Sequence, residues 1–417
     1  MLFLHYSRKS NSKLKTIIFL SVLFLYCFNS RTAYSKESYD EDTAAFENTT
    51  HIGTWVTVFS KEEILYNLKN ADKLIKNCKA LGINHIYLQI YRADTAYYNS
   101  TVLPNDAYSK MLTATGGSDP IEHIISQAHA NGIKVYAWLN ILSISQNAQG
   151  NIIKKYGQSV LTLDRFGRTS LIRGERNEMD KYYIREDQLF LEPGDSRVRQ
   201  YITSIVSEIL KRYPRMDGIH LDYIRYPTAM PFPLGSRFDS HGLSYGYNKI
   251  NIQNFKQATG LDPSTMPKTR DNFARWDEWR RMQINNLVKE ISKIVRNTYP
   301  DKKISCAIVP SIDRTYFSTF QNWTYWLKEK FVDYVVLMNY SEDTHLVEMN
   351  SKAMLAQTSN SKVHVGIGAH LFSERPSILA EQINTLKELY PGGIAIFSYD
   401  DLIKNPSLKK IMEEMAL

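Results

Sequence analysis

From His51 onward the chain alternates between two kinds of segment. Short apolar runs rich in β-branched and aromatic residues occupy 52–59 (IGTWVTVF), 85–91 (HIYLQIY), 134–140 (KVYAWLN), 217–223 (DGIHLDY), 303–310 (KISCAIVP), 332–340 (VDYVVLMNY), 362–368 (KVHVGIG) and 392–399 (GGIAIFSY). Between them, apolar residues recur at helical spacing in 61–81, 119–131, 195–213, 273–299, 317–330, 345–358, 376–389 and 404–415. Near-continuous apolar runs, each followed by a helix, predict parallel strands covered by helices. Eight such units predict an α/β fold of the (β/α)8 TIM-barrel type. Boundary signals agree. Asp119-Pro120 supplies an N-cap and a first-turn proline, and Gly82 and Gly132 each follow a helical stretch just before a strand. The rival topology, a doubly wound open sheet, wants a glycine-rich loop after the first strand, where the chain reads Phe59-Ser-Lys-Glu-Glu63.

Two connections, Asn140 to Asp217 and Tyr223 to Lys303, each use nearly 80 residues, where a plain βαβ unit needs about 30. Both insertions follow strand C-termini, after strands three and four. In a barrel that face carries the chemistry, so the extra chain is expected to wall a cleft there.

Composition changes the picture mainly at the N-terminus. Hydrophobic residues make up 43% and charged residues 23% of the 417, which argues against overall disorder and against a polytopic membrane protein. Residues 1–35 hold Arg8, Lys9, Lys13, Lys15 and Arg31 and no acid. The remaining 46 basic and 43 acidic residues therefore leave only +3 of the formal +8. With no basic run interleaved with aromatics, nucleic acid is not an expected partner. The basic stretch precedes an apolar run, Thr16 to Phe28, and Ala33-Tyr-Ser35 offers small residues for cleavage. Residues 1–35 thus read as a signal peptide, 36–50 as a flexible acidic leader, and 51–417 as a single barrel domain. The expected location is outside the cytoplasm, secreted or bound to the cell envelope. A membrane enters only through an uncleaved signal or a lipid on Cys27, which the bulky Tyr26 opposes. Cys78 and Cys306 are too few and too far apart for a disulfide framework.

Polar residues ending apolar strands are the candidates for chemistry. In Asp217-Gly-Ile-His-Leu-Asp222-Tyr-Ile-Arg225, Asp217 stands at the strand's beginning and suits a turn, whereas Asp222 stands at its exit. Period-2 alternation points His220 the same way as Asp222, one layer deeper. Arg225 is positioned to pair with a carboxylate and hold it ionised, which suits a nucleophile or base. The sixth strand ends in Asn339-Tyr340-Ser-Glu342-Asp343. Glycoside cleavage needs two carboxyl groups roughly 5 to 9.5 Å apart, and even-numbered strands share barrel layers. Asp222 as nucleophile or base with Glu342 or Asp343 as acid is the expected catalytic set. Asp343 is equally suited to cap the following helix. Arg92, Asp94, Asn140, Glu192, His220, Arg225, Tyr340 and Asp400 are the expected substrate-binding residues, with His370 nearby and Trp55, Trp138 and Tyr91 available for stacking or core. His123 and His129, six apart on a helix, form no metal face, and no G-x-S-x-G elbow occurs. No metal or cofactor is expected.

Several stretches in order resemble one family. They are Tyr87-Leu-Gln-Ile-Tyr-Arg92, Ala128-His-Ala-Asn-Gly132 running on to Trp138-Leu-Asn140, Leu191-Glu-Pro-Gly194, Asp217 to Tyr223, Trp279-Arg-Arg281 with Asn285, and Asp333 to Tyr340. The chain is similar to the glycosyl-hydrolase-like 10 family of exported bacterial proteins, from about Gly53 to about Ser398. The resemblance implies a TIM barrel, a glycosidase-like site at its C-terminal face and a glycan substrate, peptidoglycan glycan strands for some relatives. Members commonly show Asp-Asp-Tyr after the fourth strand, where this chain has Leu221-Asp222-Tyr223, and Glu192 stands where relatives carry a smaller polar residue. The alternative to an enzyme is a silent barrel that binds glycan and scaffolds an envelope assembly. A metal-dependent deacetylase would need an Asp and two His that the spacing does not assemble.

Overall fold

Eight parallel strands form in the order the pattern predicts: β1 (His51–Val56), β2 (His85–Arg92), β3 (Lys134–Asn140), β4 (Gly218–Asp222), β5 (Lys303–Ile308), β6 (Tyr334–Met338), β7 (Val363–Gly368) and β8 (Gly393–Phe397). Each pairs with its neighbour in sequence, and β1 pairs with both β2 and β8, so the sheet closes into a barrel. The structure is a computed structural model. It describes residues 51–171, 186–228 and 244–416, with the backbone of 183–184 and 230–231. The expected signal peptide and leader lie outside the described residues.

The outer helices are α1 (Leu68–Ala80), α2 (Pro120–Ala130), α3 (Ser196–Arg212), α4 (Arg270–Thr298), α5 (Trp323–Lys328), α6 (Thr344–Leu355), α7 (Ser377–Lys387) and α8 (Pro406–Met415). Asp119 caps α2 as its sequence implies, accepting from the backbone N–H groups of Ile121 at 2.9 Å and Glu122 at 3.2 Å. Gly82 and Gly132 turn the chain toward the next strand at φ +66° and +72°, values that suit a residue without Cβ. Two helices are shorter than their patterns. Residues 61–67 form turns, because Asn67 accepts from the Lys69 N–H and starts α1 only there. Phe320, at φ +59°, interrupts the stretch expected at 317–330 and confines α5 to six residues.

Aliphatic residues pack between sheet and helices, whereas the barrel interior is aromatic: Trp55, Tyr87, Tyr136, Trp138 and Tyr334 with Val336 and Ala395. The two long insertions fold back over the strand exits. Backbone bridges join Ser143 to Phe190, Leu161 to Leu191 and Asp164 to Tyr245, and residues 183–184 pair antiparallel with 230–231. Tyr247, Phe255, Met266 and Trp276 give the second insertion its own small core.

Candidate active site

The fourth strand delivers Asp222 to the mouth of the barrel. It is only 7% exposed. Its Oδ2 accepts from the Trp138 indole N–H at 3.0 Å, and its Oδ1 from the backbone N–H of Tyr223 at 2.7 Å. Tyr223 itself takes φ +51°, a left-handed conformation that a bulky residue holds only where its surroundings enforce it. Burial pushes the Asp222 carboxyl above its ordinary value. The two hydrogen bonds and the charge of Arg225 oppose that rise, and the charge of Glu186 adds to it. Aromatic rings form the wall. Tyr340 stacks on Phe397 with centroids 5.5 Å apart, and Trp138 and His370 meet the same ring edge-on at 6.4 and 6.0 Å. Burial, and then the charges of Asp222 and Tyr223, raise the Tyr340 phenol well above its usual range.

The first insertion brings in a second carboxylate. Glu186 receives the Arg225 guanidinium through both oxygens, at 2.5 and 3.0 Å, and the Thr228 N–H at 2.5 Å. Burial works to raise its pKa, but Arg225 and Thr228 prevail and hold it below the usual carboxylate range. Arg225 therefore does pair with a carboxylate, though with Glu186 instead of Asp222. Its guanidinium also lies 4.9 Å from the Tyr223 ring centre.

Beneath Asp222 lies His220, fully buried as the alternation implies. The Trp55 indole N–H, which can only donate, meets Nε2 at 3.1 Å, so the imidazole is neutral and carries its proton on Nδ1, 2.9 Å from Ser305 Oγ. Burial lowers its pKa to about 3. His220 therefore lies in the floor of the mouth with both ring nitrogens engaged by Trp55 and Ser305. Asn140, opposite Asp222 in register, accepts through Oδ1 from Gln89 Nε2 at 3.1 Å, and Gln89 is in turn held by Thr57 Oγ1 at 3.0 Å.

The remaining candidates do not converge on Asp222. Glu342 is exposed and paired with Arg375. Asp343 caps α6, accepting from the N–H groups of His345 and Leu346 at 2.9 and 3.2 Å. Asp94 is clamped by the Tyr201 hydroxyl at 2.7 Å, the Ile152 N–H at 2.8 Å and the Tyr91 hydroxyl at 3.2 Å. Arg92 lies over the Phe59 ring at 4.8 Å, and Asp400 accepts from Ser60 Oγ at 2.6 Å. Glu192 has no exposed surface to offer a ligand. It accepts from the Tyr226 hydroxyl at 2.6 Å and the Gly194 N–H at 3.0 Å, and burial raises its pKa to about 7. Among the described residues no group of three His, Cys, Asp or Glu is placed to hold a metal ion.

Sequence reasoning missed Glu186, Gln89 and Phe397. A polar Gln within the apolar run HIYLQIY was a readable signal for Gln89, and Phe397, at the exit of the last strand, was readable by the same rule as Tyr340. Nothing local marks Glu186.

Fold and mouth together define a glycosidase-like (β/α)8 barrel. Solved structures share the architecture at low identity. The catalytic domain of β-amylase from Paenibacillus polymyxa superposes with a TM-score of 0.55 at 11% identity, covering 88% of this chain and 98% of that one. The β-galactosidase from Marinomonas ef1 gives 0.56 at 8%, covering 88% and 59%. The chain belongs to the Glycosyl hydrolase-like 10 family, whose profile matches residues 52–376. Glycosyl hydrolase DigH of Escherichia coli O6:H1 is 28% identical over 231 residues, 55% of this chain and 45% of DigH. Glycosyl hydrolase YngK of Bacillus subtilis is 24% identical over 374 residues, 80% of this chain and 63% of YngK. The match thus spans less than two thirds of either relative.

Proposed function

We propose that this chain is an exported glycoside hydrolase acting on a cell-envelope or extracellular polysaccharide, peptidoglycan glycan strands among them, with Asp222 as its principal carboxylate. The observation that carries the reading is a buried carboxylate hydrogen-bonded at the centre of an aromatic mouth, since sugar rings stack on such walls while a carboxyl group addresses the bond between them. Family membership supports the chemistry, and the basic and apolar N-terminus supports export.

Two carboxyl groups with opposed environments suit opposed roles. Burial favours a proton on Asp222, which makes it the acid for the departing oxygen, whereas Arg225 keeps Glu186 ionised to activate water or to attack. This reverses the base role that the strand pattern suggested for Asp222 and substitutes Glu186 for Glu342. Trp138, Asn140 and Tyr340 would position hydroxyls and the carboxyl itself.

Purified protein incubated with peptidoglycan sacculi and with denuded glycan strands tests the assignment. Asp222→Asn and Glu186→Gln are each expected to lose at least about a hundredfold in release of new reducing ends. Glu342→Gln should stay within about threefold, as an exposed ion pair would. Retention of more than a tenth of the activity by Asp222→Asn would remove Asp222 from the chemistry. Capture of glycan by a wild type that produces no reducing ends would favour the silent, scaffolding barrel.

A further inference from the structure

Beside the mouth lies a second concavity that the proposed reaction does not use. It measures about 400 Å³ and is walled by segments leaving three adjacent strands: Phe59 and Tyr66 after β1, Thr95 and Tyr97 after β2, and Asn147, Gln149, Asn151 and Lys154 after β3. Asp106 and Lys110, from the helix at Asp106–Ala114, complete the rim. The volume falls in the range of sites that enclose small ligands.

Its chemistry is specific. Phe59 is 61% exposed, yet its ring is propped in place by the Arg92 guanidinium at 4.8 Å and by the edge-on Tyr97 ring at 6.1 Å. A large apolar ring held in water beside a polar cavity provides a stacking platform. Lys110 and Lys154 line the same cavity, and neither forms an ion pair among the described residues. Of the two acids present, Asp94 has spent its oxygens on Tyr201, Tyr91 and Ile152 within the wall. Asp106 at the rim is the remaining countercharge.

We infer that this cavity is a sugar subsite for a carboxylate-bearing residue of the glycan, with Phe59 stacking on the ring and Lys110 and Lys154 receiving the carboxylate. The inference rests on the glycan reading above and adds the class of sugar: the chain being handled is acidic. Gln149 and the amide oxygen of Asn151 supply donors and acceptors for hydroxyls, while Asn147 is held to the Ala93 carbonyl and the Gln149 N–H.

Binding of two oligosaccharide probes, an oligogalacturonate hexamer and the neutral N-acetylchitohexaose, to the full chain by calorimetry tests it. The Asp222→Asn background is used so that turnover does not enter. The acidic hexamer should bind at least about tenfold more tightly, and more weakly as salt is raised. Lys110→Gln combined with Lys154→Gln should abolish that preference and leave the neutral probe unchanged, Phe59→Ala should weaken both probes, and Asp106→Asn should tighten the acidic one. A preference that survives the double lysine substitution, equal affinities, or binding of neither probe would overturn the inference. Cleavage by wild type without acidic preference would sink the subsite and leave the hydrolase standing. Acidic preference in a protein that cleaves nothing would do the reverse.

Discussion

At the scale of single residues the chemistry turns on what Asp222 is made to do by its neighbours. Burial favours its protonated form, and the indole N–H of Trp138, 3.0 Å away, favours the carboxylate. Replacing Trp138 by Phe keeps a stacking ring and removes only the donor, so the carboxyl pKa rises. A hydrogen bond of this kind is worth about 1 kcal/mol, which corresponds to somewhat under one pH unit. If Asp222 is the acid, it works while protonated, and the alkaline limb of the kcat/KM profile moves upward by about that amount. If it were the base or nucleophile, the acid limb would move upward instead. Profiles of wild type and Trp138→Phe therefore assign the role, and two identical profiles would show that Asp222 does not titrate in the reaction.

At the scale of elements, the strand beginnings are built by a device that the sequence partly displays. Asp217, just before β4, accepts from the Val135 N–H at 2.8 Å and meets His129 Nε2 at 2.9 Å. Asp333, just before β6, accepts from the Ile304 N–H at 2.7 Å and from Arg296 at 2.7 Å. Each carboxylate satisfies a backbone N–H at the start of the neighbouring parallel strand. Gly218 follows Asp217 because a Cβ there would stand 2.1 Å from the Lys303 carbonyl oxygen. Asp217→Ala should cost about 1 to 3 kcal/mol by orphaning the Val135 N–H. In a domain of this size that is a fall in Tm of a few degrees at most, about 1 to 2 °C per kcal/mol, with Asp217→Asn retaining most of the stability. An unchanged Tm would show that the N–H finds another partner. The turn role of Asp217 was legible because it stood at the wrong end of the strand for catalysis, as all eight strands were legible from their apolar runs. Asp222 was legible for the complementary reason: a carboxylate ending an apolar strand has few other uses. Glu186 was not, because it lies in an aperiodic insertion and acquires its partner from Arg225, 39 positions away. Local pattern carries no record of which loop residue meets which strand exit. The shortened α1 and α5 were missed for a related reason, since one capping Asn and one left-handed Phe override a helical period without disturbing it.

Across the whole molecule, the end of the barrel opposite the mouth concentrates an unusual burden of imidazole. His51 and His364 pack with ring centres 4.4 Å apart, His364 stacks on Tyr334 at 4.2 Å, and His85 stacks on Tyr136 at 5.7 Å. His220 closes the stack one layer higher. Burial, with the charge of Lys134, lowers His51 to about 3. Burial, with His51 and Lys134, lowers His85 to about 2, and burial with the other imidazoles takes His364 well below its ordinary range. All four are neutral in the fold, whereas in the unfolded chain each takes a proton near pH 6.5. A group whose folded pKa is depressed in this way binds fewer protons when native, so stability is complete above about pH 6.5 and drains away as the pH falls. The upper limit is about 1.4 kcal/mol per pH unit for each histidine once the pH is well below 6.5. Denaturant unfolding between pH 7.5 and 5 should therefore show a net loss of stability, the four imidazoles outweighing Glu192, whose carboxyl, raised to about 7 by burial, works in the opposite direction as the pH falls. His364→Asn should make that slope shallower even if it lowers stability overall. A stability that stays flat across this window would mean that the imidazoles are protonated in the native barrel and that its floor is open to water.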